Sequence, residues 1–75
     1  MPHVVVKLCQ ASPNSRRVRL AQNITKDVMD VLHYGEESVS VAFEEVEPGD
    51  WAAKVYQTDI VGNAEKLYKR PGYTM

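Results

Sequence analysis

The opening stretch Met1-Pro2-His3-Val4-Val5-Val6-Lys7-Leu8-Cys9 decides the fold of this chain. Its run of β-branched residues predicts a β-strand over residues 3–9. Successive side chains of a strand point to opposite faces, so one face carries Val4, Val6 and Leu8. The other face carries His3, Val5, Lys7 and Cys9. We expect the apolar face to pack on a helix and the mixed face to meet a partner.

A long helix is predicted after this strand, over residues 13–34. Ser12 can cap its first turn, and Pro13 suits the first helical position. Apolar residues then recur at helical spacing and form one stripe, made of Leu20, Ile24, Val28, Val31 and Leu32. Gly35 is expected to end the helix, because glycine readily adopts the left-handed conformation found at helix ends.

The stretch Ser-Val-Ser-Val-Ala-Phe-Glu-Glu-Val predicts a second strand over residues 38–46. Strand, helix and strand form a βαβ unit, so the strands should be parallel and the crossover right-handed. The predicted fold class is α/β, with one domain over residues 1–75 built on a single βαβ unit. A turn at 47–50 and short helices over 51–56 and 63–69 complete the prediction.

Oligomerisation is the expected source of stability. A chain of 75 residues buries a marginal core and usually needs disulfides, a metal or a second copy. Cys9 is the single cysteine, so no disulfide can form within the chain. His3 and His33 are far apart and lack the neighbouring ligands of a metal site. The two-stranded sheet also leaves open edges, which favours pairing with another chain.

The charge balance argues against two classes of partner. Nine basic and ten acidic residues give a formal net charge of −1, which predicts no binding to nucleic acid or to a membrane surface. No apolar run approaches the ~20 residues of a membrane span, and the amino terminus lacks the basic flank of a signal peptide. We therefore expect a cytoplasmic protein in a reducing compartment.

Pro2 is the first candidate for chemistry. A small second residue usually allows the initiator methionine to be removed, so the mature chain would begin with a free secondary amine. An unperturbed α-amino group titrates near ~7.7–8.0, close to the pH at which a general base works best. The proline nitrogen is therefore a candidate base. The alternative is that Pro2 is a chance second residue in a frayed terminus.

Five sequence features, taken in their order along the chain, resemble the tautomerase superfamily, typified by 4-oxalocrotonate tautomerase. They are Met1-Pro2-His3 at the start of strand one, Ile24-Thr25 in the helix, Ser38-Val39-Ser40-Val41-Ala42 in strand two, Glu47-Pro48 followed by Trp51, and the ending Lys69-Arg70-Pro71-Gly72-Tyr73. The similarity is closest to the small phenylpyruvate-tautomerase-like branch and covers essentially the whole chain.

The resemblance implies a cofactor-free isomerase. In that superfamily the N-terminal proline takes a proton from the carbon beside a carbonyl and returns it at another carbon, which interconverts enol and keto forms. Carried over, Pro2 is the catalytic residue, and no cofactor or metal is expected. The implied partners are a small 2-oxo acid or its enol, and further copies of the chain in a homodimer or a trimer of dimers.

The resemblance also identifies substrate-binding positions. The best-known members bind the substrate carboxylate with two arginines, and those positions here hold Ser12 and Ser40. The family's aromatic pocket wall falls on Trp51. The loss of both arginines leaves the dicarboxylate substrates of those members in doubt.

The early helix carries an unusual cluster of cations that could replace the missing arginines. It is Ser15-Arg16-Arg17-Val18-Arg19. Arginine binds both oxygens of a carboxylate with its planar fork. We expect the early helix of the partner subunit, with Arg16 first and Arg17 second, to hold the substrate carboxylate, because Arg16 shares the apolar stripe of Leu20. The alternative is a solvated helix start.

Two classes of function stay open. The first is a keto-enol tautomerase of small 2-oxo acids, which Pro2 and Trp51 favour. The second is a non-catalytic oligomeric interaction module that keeps the fold, which the missing arginines favour. The mass of the purified chain separates them in part, because a retained Met1 would leave the Pro2 nitrogen as a tertiary amide.

Overall fold

The computed structural model describes all 75 residues. Strand β1 (His3–Leu8) is followed by helix α1 (Asn14–Leu32) and strand β2 (Ser40–Glu45). The strands are parallel, with His3 opposite Ser40 and Leu8 opposite Glu45. The predicted α/β fold with a single βαβ unit is therefore confirmed, although each strand is shorter than predicted.

The start of α1 differs from the prediction in how its first turn is capped. Pro13 occupies the capping position with an extended backbone (φ −56°, ψ 142°), and no side chain caps the helix. The Ser12 hydroxyl accepts a hydrogen bond from Arg17 Nε at 3.3 Å instead. The prediction that Ser12 caps was wrong because a capping oxygen must belong to the residue next to the first helical one. Pro13 also lies outside the helix.

The end of α1 lies at Leu32, and Gly35 does not stop it. His33 adopts the left-handed conformation (φ 60°, ψ 45°), and histidine is among the non-glycine residues enriched there. Gly35 has an extended backbone and opens a 3₁₀ turn over Glu36–Ser38. This turn explains why β2 begins at Ser40 and not at residue 38.

The face that α1 turns toward the sheet is rotated from the predicted stripe. Its partly buried residues are Arg17, Ala21, Ile24, Thr25, Val28 and Met29. Leu20 is exposed, and Val31 and Leu32 are 71% and 56% exposed. Arg16 is exposed too, so the prediction that it lies on the inner stripe was wrong. Apolar residues occupy more than one side of α1, and spacing alone therefore did not determine which side meets the sheet.

The C-terminal third is more helical than predicted. A short α-helix, α2 (Pro48–Trp51), continues as a π-helix over Ala52–Val61, and a 3₁₀ turn follows at Ala64–Lys66. The turn predicted at 47–50 was wrong, since proline suits the first position of a helix and Pro48 starts α2. The helix predicted over 51–56 extends at both ends, whereas the one over 63–69 is a single turn.

An ion pair joins the π-helix to β1. Lys7 Nζ lies 2.5 Å from Asp59 Oδ2, and each side chain is about one-third exposed. Their hydrogen bond raises the pKa of Lys7 above the usual 10.5 and lowers the pKa of Asp59 below the usual 3.8. Because Lys7 and Val6 point to opposite faces of the sheet, the π-helix meets the face opposite that of Val6.

The chain exposes an unusually large surface for its mass. Only Val46, Val55 and Tyr56 are buried. The accessible area is 5917 Å², against roughly 4,700 Å² for a compact monomer of this mass. The radius of gyration is 13.9 Å, against about 11 Å for a compact domain of this length. None of the helices combines the length and apolar character needed to cross a membrane.

Candidate active site

Pro2 lies at the end of the sheet where both strands begin. Its carbonyl oxygen accepts a hydrogen bond from the Ser40 backbone N–H at 3.2 Å. The Ser40 hydroxyl is in turn 2.6 Å from His3 Nδ1. The proline ring is partly buried, whereas His3 and Ser40 are exposed. Parallel pairing therefore brings Ser40, one of the predicted binding residues, to the position beside Pro2.

The chemistry open to Pro2 depends on Met1. While Met1 is attached, the Pro2 nitrogen is a tertiary amide with no proton to exchange and no basic lone pair. Met1 is 97% exposed, so the rest of the chain does not cover this residue. Hydrolysis of that bond would give a secondary amine at the start of β1.

An open cleft of about 450 Å³ lies at the opposite end, where the strands finish. Its walls include Leu8, Cys9, Ser12, Arg16 and Trp51. Arg16 is exposed, and Trp51 is partly buried at the end of α2. The structure thus brings together two of the predicted binding residues, Arg16 and Trp51, with the guanidinium available to an anion.

Arg17 has other partners. It forms an ion pair with Glu45 at the end of β2, and its Nε donates to Ser12. A guanidinium held by a carboxylate is less available to a substrate carboxylate. The structure therefore separates the two predicted cations: Arg16 lines the cleft, and Arg17 connects α1 to the sheet.

A second cleft, of about 500 Å³, adjoins the first and has a mostly apolar lining. Cys9 and Trp51 belong to both clefts. The remaining walls come from Pro48 and from the C-terminal residues Tyr73, Thr74 and Met75. The Trp51 Nε1–H donates a hydrogen bond to the Tyr73 hydroxyl at 3.0 Å.

Within one chain, the proline and the clefts are far apart. Pro2 and Leu8 are six positions apart along β1, about 20 Å at ~3.3 Å per residue. A substrate in the Arg16 cleft could not reach the Pro2 nitrogen of the same chain. Each end of the sheet therefore holds part of the candidate machinery.

Comparison with known proteins decides the family. A family model described as "Tautomerase enzyme" matches residues 2–57. A probable tautomerase of Xylella fastidiosa is 41% identical over 73 residues, which cover 97% of this chain and 89% of that protein. The chain belongs to the tautomerase family. The Tautomerase PptA proteins of Cronobacter sakazakii and Klebsiella pneumoniae are 36% and 37% identical, and both alignments cover 100% of each chain.

Membership in the tautomerase family makes this protein an isomerase at the family level, in a family that acts on small molecules and forms oligomers. The matched range begins at Pro2 and includes both strands, α1 and Trp51. Asp59 and the tail with Tyr73 lie beyond residue 57.

Sequence reasoning missed the role of Tyr73 as the partner of Trp51. The two residues are 22 positions apart and share no periodic pattern. The one available signal was the concentration of aromatic residues after residue 50, which suggests docking without saying where.

Proposed function

We propose that this tautomerase is a cofactor-free keto-enol isomerase of small 2-oxo acids that carry an apolar group, with Pro2 as its general base. The observation that supports this most is the Arg16–Trp51 cleft at one end of β1, with the candidate base at the other. A cation beside an aromatic wall suits a carboxylate attached to an apolar group.

The proton transfer requires the free Pro2 amine. The unprotonated nitrogen takes a proton from the carbon beside the carbonyl or from the enol hydroxyl, and the resulting ammonium returns it at the other site. An α-amino group with an ordinary pKa near ~7.7–8.0 is partly unprotonated at neutral pH, so it can serve as acid and as base.

The active site is completed by a second copy of the chain. The outer edge of β1 has no strand partner, because the sheet contains only β1 and β2. Antiparallel pairing of two β1 edges would place Pro2 of the partner subunit beside Leu8 and Cys9, about 4.8 Å away across the ladder. Pairing through the edge of β2 would instead leave Pro2 of the partner subunit several strands away from the Arg16 cleft.

The surface of the single chain supports this assembly. Its accessible area exceeds the compact-monomer value, and large apolar residues such as Val31 and Leu32 are exposed. We propose a homodimer as the minimal unit; a trimer of dimers would repeat the same pair of sites. A stable folded monomer at micromolar concentration in sedimentation would contradict this.

Arg16 is proposed to bind the substrate carboxylate and to offset charge on the enolate oxygen. Preorganised donors aimed at developing charge stabilise transition states strongly. Ser40, held by His3 beside Pro2, is proposed to contact the substrate next to the base. Arg17 is a weaker candidate because Glu45 already engages its guanidinium.

The test is a phenylenolpyruvate ketonisation assay on protein whose mass confirms that it starts at Pro2. We expect catalysis from this form and none from protein that retains Met1. A non-catalytic oligomeric module is the second candidate, favoured by the serines at positions 12 and 40. It would be supported if oligomeric protein starting at Pro2 left the rate at its uncatalysed value.

A further inference from the structure

The C-terminal tail forms one wall of the apolar cleft. Tyr73 accepts the Trp51 Nε1–H hydrogen bond at 3.0 Å. Its ring also packs on Tyr56, with centroids 5.7 Å apart and planes tilted by 37°. Tyr56 is buried, so Tyr73 is held from two sides although it is itself half exposed. The Tyr73 side chain is thus held against Trp51 and Tyr56.

The apolar cleft continues the cleft that contains Arg16. Both share Cys9 and Trp51, so the Arg16 cleft and the C-terminal residues meet at the indole of Trp51. A small acid held at Arg16 would extend its substituent toward Trp51 and Tyr73. The walls there, including Pro48 and Met75, carry no charged side chain.

We propose that Tyr73 is a specificity-determining residue, and that with Trp51 it forms the binding site for the aromatic or other bulky apolar substituent of the substrate. This inference rests on the proposed function. It predicts that the tail sets which 2-oxo acid is preferred, while the Arg16 cleft and Pro2 serve every substrate alike. Discrimination through one hydrophobic contact surface typically amounts to roughly 10- to 200-fold.

The experiment compares two substrates that differ only in this substituent. Exchange of the C3 protons in D₂O is followed by NMR for phenylpyruvate and for pyruvate, with the uncatalysed rates subtracted. Tyr73→Ala is expected to lower kcat/KM for phenylpyruvate about 10- to 100-fold, and to change the value for pyruvate by less than about 3-fold. Tyr73→Phe keeps the ring and should retain most of the preference.

Tyr68→Ala is the matched control, because Tyr68 belongs to the same tail region and is fully exposed. It should leave both kcat/KM values unchanged. Trp51 is the only tryptophan of the chain, so quenching of its fluorescence by phenylpyruvate gives a binding readout independent of turnover. Tyr73→Ala should weaken that binding by a similar factor.

Equal losses for both substrates, or no loss for either, would overturn the assignment of Tyr73. If Tyr73→Ala does not fold by circular dichroism, Tyr73→Leu tests the same point by keeping apolar bulk without the ring. It should favour phenylpyruvate less than the wild type does, and an unchanged preference would contradict the proposal. Failure of the wild type to exchange either substrate would instead contradict the proposed function.

Discussion

The end of the sheet where the strands begin differs from the end where they finish in both residues and shape. At the first end, Pro2 is tied to Ser40 by backbone pairing, whereas α1 with its early arginines begins after the opposite end of β1. At the second end, Arg16 and Trp51 line an open cleft that contains no candidate base. The first end can move a proton and the second can hold an acid, so one chain separates two tasks that a tautomerase must perform together.

The largest effect is expected at the proline end. Pro2→Ala replaces the secondary amine with a primary amine of different basicity and geometry, so kcat should fall by about 10²-fold or more, within the range for a general base. Alanine is also small enough for Met1 to be removed, which a mass measurement checks. The free energy of unfolding should change by less than about 0.5 kcal/mol. A wild-type kcat/KM would show that Pro2 is not the base.

The next effect is expected in the cleft. Arg16→Ala should cost about 1.5–3 kcal/mol of transition-state binding, roughly 10- to 150-fold in kcat/KM, because it removes a charge-assisted hydrogen bond. Arg19→Ala is the control, since Arg19 is also exposed on the same helix but does not line the cleft. Arg17→Ala should lower the free energy of unfolding by up to about 1 kcal/mol and affect kcat/KM less than Arg16→Ala does. If Arg16→Ala and Arg17→Ala both keep the wild-type kcat/KM, the arginines of the early helix do not bind substrate and are only a solvated helix start.

The ion pair between Lys7 and Asp59 tests how firmly the C-terminal segment is attached to β1. The pKa of Asp59 is lowered from 3.8, so the ionised carboxylate stabilises the folded chain above that pH. This stabilisation is lost as the pH falls below 3.8. The pKa of Lys7 is raised from 10.5, so its contribution is present below that value and is lost as pH rises above it. The stability difference between wild type and Lys7→Met should therefore be constant between these values and shrink outside them.

Urea unfolding across pH measures this difference. Lys54→Met serves as the control for loss of a lysine, because Lys54 makes an exposed pair with Asp50 at 3.5 Å within one helix. A difference for Lys7→Met that does not depend on pH would show that the 2.5 Å contact contributes nothing to stability.

The smallest effect is expected at the end of α1, away from both ends of the site. His33→Gly removes the Cβ whose steric clash disfavours the left-handed backbone conformation, which stabilises the fold. Part of this gain is offset because glycine loses more conformational entropy on folding. The variant should be more stable by about 0.5 kcal/mol, with unchanged kcat/KM. Thermal unfolding checks the first expectation, and destabilisation would indicate that the imidazole makes a compensating contact.

The sequence was sufficient for the framework because its signals are local. The β-branched run before Cys9 and the alternation around Val41 favour strands, and a long helix between two neighbouring strands favours parallel pairing. The rotation of α1 was not predictable, because Leu20 and Ala21 compete for the inner face and only packing against the sheet decides between them.

The residues of the candidate site also fall into two groups, those that the sequence identified and those that only the packing of the chain shows. Pro2 was identifiable from its position and from the resemblance to the tautomerases, and Trp51 from the resemblance. That Arg16 lines the cleft while Arg17 pairs with Glu45 depends on how α1 sits on the sheet. The contact of Tyr73 with Trp51 joins distant parts of the chain and has no sequence pattern.

The central claim is that the proline of one subunit and the cleft of its partner form one site. Mixing equal amounts of impaired Pro2→Ala subunits and impaired Arg16→Ala subunits, under conditions that exchange them, tests this most directly. Random pairing makes half of the dimers mixed, and each mixed dimer has one intact site and one doubly altered site. The account predicts that mixing restores about a quarter of the wild-type activity. If exchange is shown by native mass spectrometry and no activity returns, each chain builds its own site and the claim is contradicted.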